Sequence, residues 1–210
     1  MSKELHEKSH PETITQKAIE YARFIKKSFA AEFTGQYEVE ELPVSVFMAG
    51  SPGAGKTESS VRLLEDFQKT SGGQRVMRID PDEFRKEFIS CGYNGSNSHL
   101  FQPAVSILSD AVHDAALKKK QSFVFDGTFS NIDIARKNIK RSLKPSRKRF
   151  VQILYVYQDP IQAWKFVQER ENKEGRRITK EDFIEKYFLA REVVNIMIQK
   201  SVKRYKLTYL

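Results

Sequence analysis

Eight residues constrain this chain more than any others: Gly50-Ser51-Pro52-Gly53-Ala54-Gly55-Lys56-Thr57. They meet the pattern G-x-x-x-x-G-K-[ST] in full. Before them runs Val44-Ser45-Val46-Phe47-Met48-Ala49, short, apolar and rich in residues that suit strands. After them the sequence reads as a helix from Lys56 to about Lys69, stopped by Ser71-Gly72-Gly73. A strand, a glycine-rich turn and a helix in that order place successive backbone N–H groups around an anion. The positive end of the helix faces the same anion. In such a loop Lys56 reaches the outer phosphates of a nucleoside triphosphate, and the Thr57 hydroxyl is a ligand for Mg²⁺. All eight loop residues are therefore assigned to ATP or GTP binding.

The rest of the chain supports one architecture. Further strands are read at Val76–Asp80, Ser122–Asp126 and Phe150–Tyr157, with a last one at Tyr205–Leu210. The middle two are nearly continuous apolar runs, as strands covered on both faces are. Between them lie helical signals. Pro81 heads a short helix through Phe88. Pro103 opens one with Ala104, Ile107, Leu108, Ala111, Val112 and Ala115 on its apolar face. Asp159-Pro160 caps and starts a helix to Glu174, and another spans Lys180 to Lys200. Residues 90–98 read as a loop. The alternation predicts an α/β protein: a three-layer P-loop nucleoside-triphosphate hydrolase or kinase fold, mainly a parallel sheet with helices on both faces. Upstream, Ile14, Ala18, Ala22, Ile25, Phe29 and Phe33 recur at helical spacing, and Gly35 offers a stop. Residues 1–40 are thus a tail and an amphipathic helix, and 41–210 the P-loop kinase domain.

Composition excludes some classes. A 40% share of hydrophobic residues is enough for a packed core, so wholesale disorder is not expected. Cys91 is the single cysteine, so no internal disulfide forms. No signal-peptide pattern and no apolar run of membrane-spanning length is present, which points to a cytoplasmic protein. The net charge is +9, with basic clusters at Lys118-Lys119-Lys120, Arg136 to Arg149 and Lys200 to Lys206. That balance suits an enzyme of polyphosphates. No aromatic-interleaved RNA motif or zinc-finger spacing accompanies it, so a nucleic-acid partner is not expected.

Phosphoryl transfer needs acids to orient a hydroxyl and cations to neutralise charge. Asp80 and Asp82 follow the second strand, on the side where open α/β sheets bind ligands. Asp82 is the candidate general base, and Asp80 a structural or substrate-binding acid. Asp126 ends the third strand as a metal-site acid does, with Thr128 beside it. Asp110 lies at the edge of its helix's apolar face, readable as a solvated acid. His99 and His113 lack metal-ligand spacing and are expected in surface or capping roles. Arg170, Arg176 and Arg177 lie where a mobile lid would carry phosphate-gripping arginines.

With these residues in place, the sequence resembles the zeta toxin family of P-loop kinases. The resemblance spans about Val44 to Arg177. It is carried by the phosphate loop, by Ile79-Asp80-Pro81-Asp82-Glu83-Phe84-Arg85, by Phe125-Asp126-Gly127-Thr128, and by Arg170 and Arg177. The resemblance implies ATP-dependent phosphorylation of UDP-N-acetylglucosamine on its sugar 3′-hydroxyl, with a toxic effect on cell-wall synthesis. It implies Asp82 as base, with Lys56, Arg170 and Arg177 neutralising the migrating phosphoryl group. Asp110, Asp126 and Asn138 align with substrate-binding positions. It also implies an antitoxin that blocks the nucleotide site with a helix, a role the stretch Ile14 to Phe33 could fill in cis. Two departures fall on the acceptor side: Ser130 stands where the family carries a sugar-site arginine, and Phe88 to Asn97 lacks the usual histidine-proline. Another small metabolite, an antibiotic or a nucleic-acid end is the alternative acceptor. A nucleotide-dependent regulatory module without transfer is the alternative class.

Overall fold

A computed structural model of the chain describes residues 11–70, 72–175, 177–200 and 206–209. The expected tail before residue 11, Ser71, Arg176 and the two ends of the expected last strand, Tyr205 and Leu210, lie outside them. Five strands make one sheet: β1 (Val44–Ala49), β2 (Met77–Ile79), β3 (Phe123–Phe125), β4 (Phe150–Tyr155) and β5 (Lys206–Tyr209), in the order β2-β3-β1-β4-β5. Every pairing is parallel, with Phe47 opposite Phe125 on one side and Ile153 on the other. The chain meets the expected α/β class.

Side chains alternate across a strand, and β1 shows how that builds three layers. Phe47 and Ala49 join the larger core, against α1 (Pro11–Gly35), α3 (Gln102–Lys118), α4 (Ile132–Ser142) and α6 (Lys180–Lys200). Val46 and Met48 face the other way, onto Leu63, Leu64 and Phe67 of α2 (Lys56–Thr70). Helix α5 (Pro160–Glu174) packs Ala163 and Val167 against Phe183 of α6 in a third cluster. Its start is capped as expected: Asp159 accepts from the N–H groups of Ile161 and Gln162 at 2.9 and 3.1 Å.

Helix α1 is part of the main core. Ala18 and Ala22 have no exposed surface, and Phe29 and Phe33 meet Phe84 edge-on. Its apolar face is taken up by α3 and by a 3-10 helix at Glu83–Cys91.

Two expectations are corrected. Residues 132–142 form α4, which was not anticipated. Its signal was Asn131, whose side chain accepts from the N–H groups of Asp133 and Ile134. His113 is neither at the surface nor a cap. It is fully buried, edge-on to Phe47, Phe123 and Phe125. Its helix turns a wider face inward than the periodicity suggested, because α1 covers it as well as the sheet.

Candidate active site

The carboxyl ends of β1, β2, β3 and β4 converge, and the loop after β1 starts the site there. Its turn depends on glycine. Gly50 (φ +146°) and Gly53 (φ +71°) adopt backbone conformations that side chains disfavour. A Cβ on Gly50 would lie 2.5 Å from the Val156 carbonyl oxygen, and one on Gly53 closer still to that of Ala163. The loop is thereby pressed onto the segment after β4 and onto α5. The Gly50 N–H donates to the Thr128 carbonyl at 3.2 Å, which ties the loop to the turn after β3. Ser51 and Ala54 are buried, Pro52, Gly53 and Gly55 half-buried, and Thr57 exposed at the first turn of α2.

Lys56 crosses this loop. Its ammonium donates to the carbonyls of Gly50 (3.0 Å) and Ser51 (2.6 Å). Burial pulls its pKa down to about 8. The fields of Asp126 and Asp82 resist that shift, Arg170 adds to it, and Glu58 resists it slightly. Three of the other residues singled out in the sequence, Asp82, Asp126 and Arg170, therefore act on Lys56.

The acids behind the loop are organised by a residue the sequence reading passed over. Arg78, on β2, donates to Asp80 and Asp126 at 2.7 Å each, to Glu83 at 2.8 Å and to Ser60 of α2 at 3.0 Å. A signal existed, since residues two apart on a strand share a side and Arg78 stands two before Asp80. Asp80 also accepts from the Asp82 N–H at 2.8 Å, so it shapes the turn that presents Asp82. Burial raises the Asp80 pKa to about 6; Arg78 opposes this, and the nearby Asp126 and Asp82 carboxylates add to it. Asp82 is half-exposed and precedes the 3-10 helix without capping it through its side chain; it pairs instead with Arg85, one turn on. Arg85 is buried and also donates to Gln102 at 2.9 Å.

Other expected site residues lie in separate groups. Asp110 of α3 is held by Lys137 (2.9 Å) and Arg141 (2.8 Å) of α4, and Arg141 also donates to the buried Asn138 at 3.2 Å. Burial alone would raise the Asp110 pKa. The hydrogen bonds from Lys137 and Arg141 outweigh it and hold the carboxyl below its ordinary range. The cluster joins Asp110 and Asn138 through an arginine, and no described contact links it to Lys56. Thr128 shares a 2.8 Å hydroxyl–hydroxyl bond with Ser130. Arg177 stands apart: its side chain is 80% exposed, 3.8 Å from Glu171. Arg176 lies outside the described residues.

The donor set suits a magnesium–nucleotide complex more than a metal bound by protein alone. Among the described residues no three or more His, Cys, Asp or Glu side chains gather as a metal cage. A hydroxyl at Thr57 and a carboxylate at Asp126, completed by phosphate oxygens and water, is a donor set Mg²⁺ accepts. No helix among the described residues is long and apolar enough to cross a membrane.

Comparison with known proteins agrees with this architecture. The family model described as Zeta toxin matches residues 29–206. A structure from the PezAT chromosomal toxin–antitoxin system of Streptococcus pneumoniae superposes with a TM-score of 0.67 at 15% identity, over 95% of this chain and 79% of the other. A structure of AvrRxo1-ORF1:-ORF2 with ATP gives a TM-score of 0.56 at 18% identity, over 95% of this chain and 64% of the other. No curated protein matches.

Proposed function

The chain belongs to the zeta toxin family of kinase-like P-loop proteins, and from that premise we propose that it transfers the γ-phosphate of ATP to a hydroxyl of a nucleotide sugar, with UDP-N-acetylglucosamine as the first candidate. The observation that carries this reading is the loop after β1: a glycine-shaped turn crossed by the Lys56 ammonium, which the charges of Asp126, Asp82 and Arg170 reach.

In this reading the N–H groups of Gly53 to Thr57 and the Lys56 ammonium hold the triphosphate. Thr57 and Asp126 hold Mg²⁺, which when bound supplies positive charge to the phosphate oxygens. Asp82 accepts the proton of the acceptor hydroxyl while that oxygen forms its bond to the γ-phosphorus and the bond to the β-phosphate oxygen breaks, releasing ADP. Arg85 pairs with Asp82 and aims it. Arg170 faces the charge that develops on the migrating group; Arg176 and Arg177 are assigned to the phosphates, as the resemblance implies. Asp80, Asp110, Thr128 and Asn138 are assigned to the acceptor side. An antitoxin is the expected protein partner, with cis-inhibition by α1 as the competing arrangement.

Incubation with γ-labelled ATP and a panel of nucleotide sugars, followed by mass spectrometry, tests the transfer. A new phosphomonoester on UDP-N-acetylglucosamine supports it; none on any sugar refutes the nucleotide-sugar reading. Asp82→Asn is expected to lower kcat by about 10²- to 10⁴-fold, the span of general-base catalysis, with ATP affinity unchanged. A nucleotide-dependent regulator would show no such loss. The Thr128–Ser130 hydroxyl pair, standing where an arginine would serve the sugar site, favours a second reading with a different hydroxyl-bearing metabolite. A labelled product from a metabolite extract distinguishes the two.

A further inference from the structure

Arg78 has no part in the reaction just described, yet it makes four side-chain contacts at the crevice. Its partners come from four places: Ser60 on α2, Asp80 in the turn after β2, Glu83 on the 3-10 helix, and Asp126 at the end of β3. The Arg78 side chain is only 13% exposed and that of Asp126 7%. Ser60 is itself a junction. Its Oγ accepts from Arg78 Nε and lies 3.0 Å from Asp126 Oδ2 and 2.9 Å from the Thr57 carbonyl oxygen. One guanidinium thus connects the acid after β3 to the turn of α2 that carries Thr57.

We propose that Arg78 is a positioning residue of the phosphate site, acting through Asp126. The proposal rests on the phosphotransferase reading above and deepens it. The geometry accounts for the residue type. Asp80 and Asp126 both place Oδ2 at 2.7 Å from the same Nη2, so their mutual repulsion is relieved by a single cation. A planar fork meets three acids and a hydroxyl in fixed directions; a lysine ammonium would supply the charge without that fan of donors. Asp126 Oδ2 is committed to Arg78 and Ser60, which fixes the carboxylate and leaves Oδ1 as the oxygen that no described contact takes up. The orientation of the metal-site acid is therefore set from β2 and α2, elements on either side of it in the fold.

A double-mutant cycle on the full chain tests this, using Arg78→Gln, Asp126→Asn and the pair. Steady-state turnover of ATP and binding of a fluorescent ATP analogue, with Mg²⁺ and in EDTA, are measured on each. Arg78→Gln is expected to lower kcat by about 10- to 100-fold with KM for ATP moving less than about 3-fold, and to cost less than about 3-fold once Asp126 is Asn. Binding in EDTA is expected to stay within about 3-fold throughout. Arg78→Lys is expected to restore the melting temperature without restoring kcat. Should Arg78→Gln fail to fold, Ser60→Ala removes one link with no change of charge and is expected to show the same non-additivity with Asp126→Asn. Multiplicative losses, a wild-type rate in Arg78→Lys, or a loss confined to KM would each overturn the positioning role alone. A wild-type chain that binds no nucleotide would overturn it together with the reading it rests on.

Discussion

Lys56 is part-buried and His113 fully buried, and their neighbours decide opposite fates for them. Lys56 keeps company with Asp126 and Asp82, so its depressed pKa of about 8 still leaves it charged at neutral pH. Between about 8 and the ordinary lysine value the native state holds fewer protons than the unfolded chain. Stability therefore rises with pH across that window while the loop loses its charge. ATP affinity of the free protein is expected to fall above about pH 8, read by titration calorimetry. Lys56→Ala is expected to weaken ATP binding by about 10- to 100-fold, since hydrogen bonds to a charged group contribute ~1.5–3 kcal/mol, without lowering the melting temperature. The charges that act most on His113 are cations. Burial is the chief reason its pKa lies well below 6.5, and Arg141, Arg149, Arg147 and Lys137 all push the same way. Neither ring nitrogen has a hydrogen-bond partner. A base whose native pKa is depressed takes up protons on unfolding, so stability declines as pH falls below about 6.5, by ~1.4 kcal/mol per pH unit. Asp80 acts the other way: with its pKa raised to about 6, protonation favours the native state as pH falls toward 4. His113→Phe, which keeps an aromatic ring among Phe47, Phe123 and Phe125, is expected to reduce the loss of stability on acidification below about pH 6.5, measured by urea denaturation. An unchanged pH profile would refute the assignment.

At the scale of elements, capping chemistry explains both what was foreseen and what was missed. Asp159-Pro160 announces α5 because proline needs no N–H partner in a first turn. Asn131 does the same work for α4, but the basic run that follows it reads as surface charge, and the helix is short. Asn131→Ala is expected to destabilise the protein by about 1 kcal/mol, seen as a lower urea midpoint. Because α4 carries Lys137, Asn138 and Arg141, the same change is expected to loosen the hold on Asp110. The motif Arg78-Ile79-Asp80-Pro81-Asp82-Glu83-Phe84-Arg85 shows a related limit. Its aspartates were read from the sequence as site acids, whereas the reach of Arg78 to Asp126 and Ser60 became visible only once β2 met β3 and α2. Each arginine takes one of the aspartates, Arg78 pairing with Asp80 and Arg85 with Asp82.

For the whole molecule, the question is whether α1 is a regulator or a wall of the core. Ala18, Ala22 and Ala30 are buried in the same cluster as Phe47 and Phe88. Removing residues 1–35 strips that cover from α3 and from the aromatic group around Phe84. The truncated chain is therefore expected to lose cooperative unfolding and native near-ultraviolet dichroism. A folded truncation with faster phosphate transfer would instead establish α1 as an inhibitor of the site.

The phosphate loop, the strand before it and the helix after it were legible in the chain alone, because a glycine turn that cradles phosphate uses neighbouring residues and so writes a local pattern. The parallel sheet followed from alternation of apolar runs and helical periods, which are local too. Strand order, the burial of His113, the pairing of Asp110 with Arg141, and the role of Arg78 were not legible. Each depends on residues tens of positions apart meeting across strands and helices, as Arg78 meets Asp126 only because β2 lies beside β3. Sequence thus determined the glycine turn and the strand and helix that flank it. Tertiary structure alone decided which charges neutralise which, since electrostatic partnership is a matter of distance in space and burial.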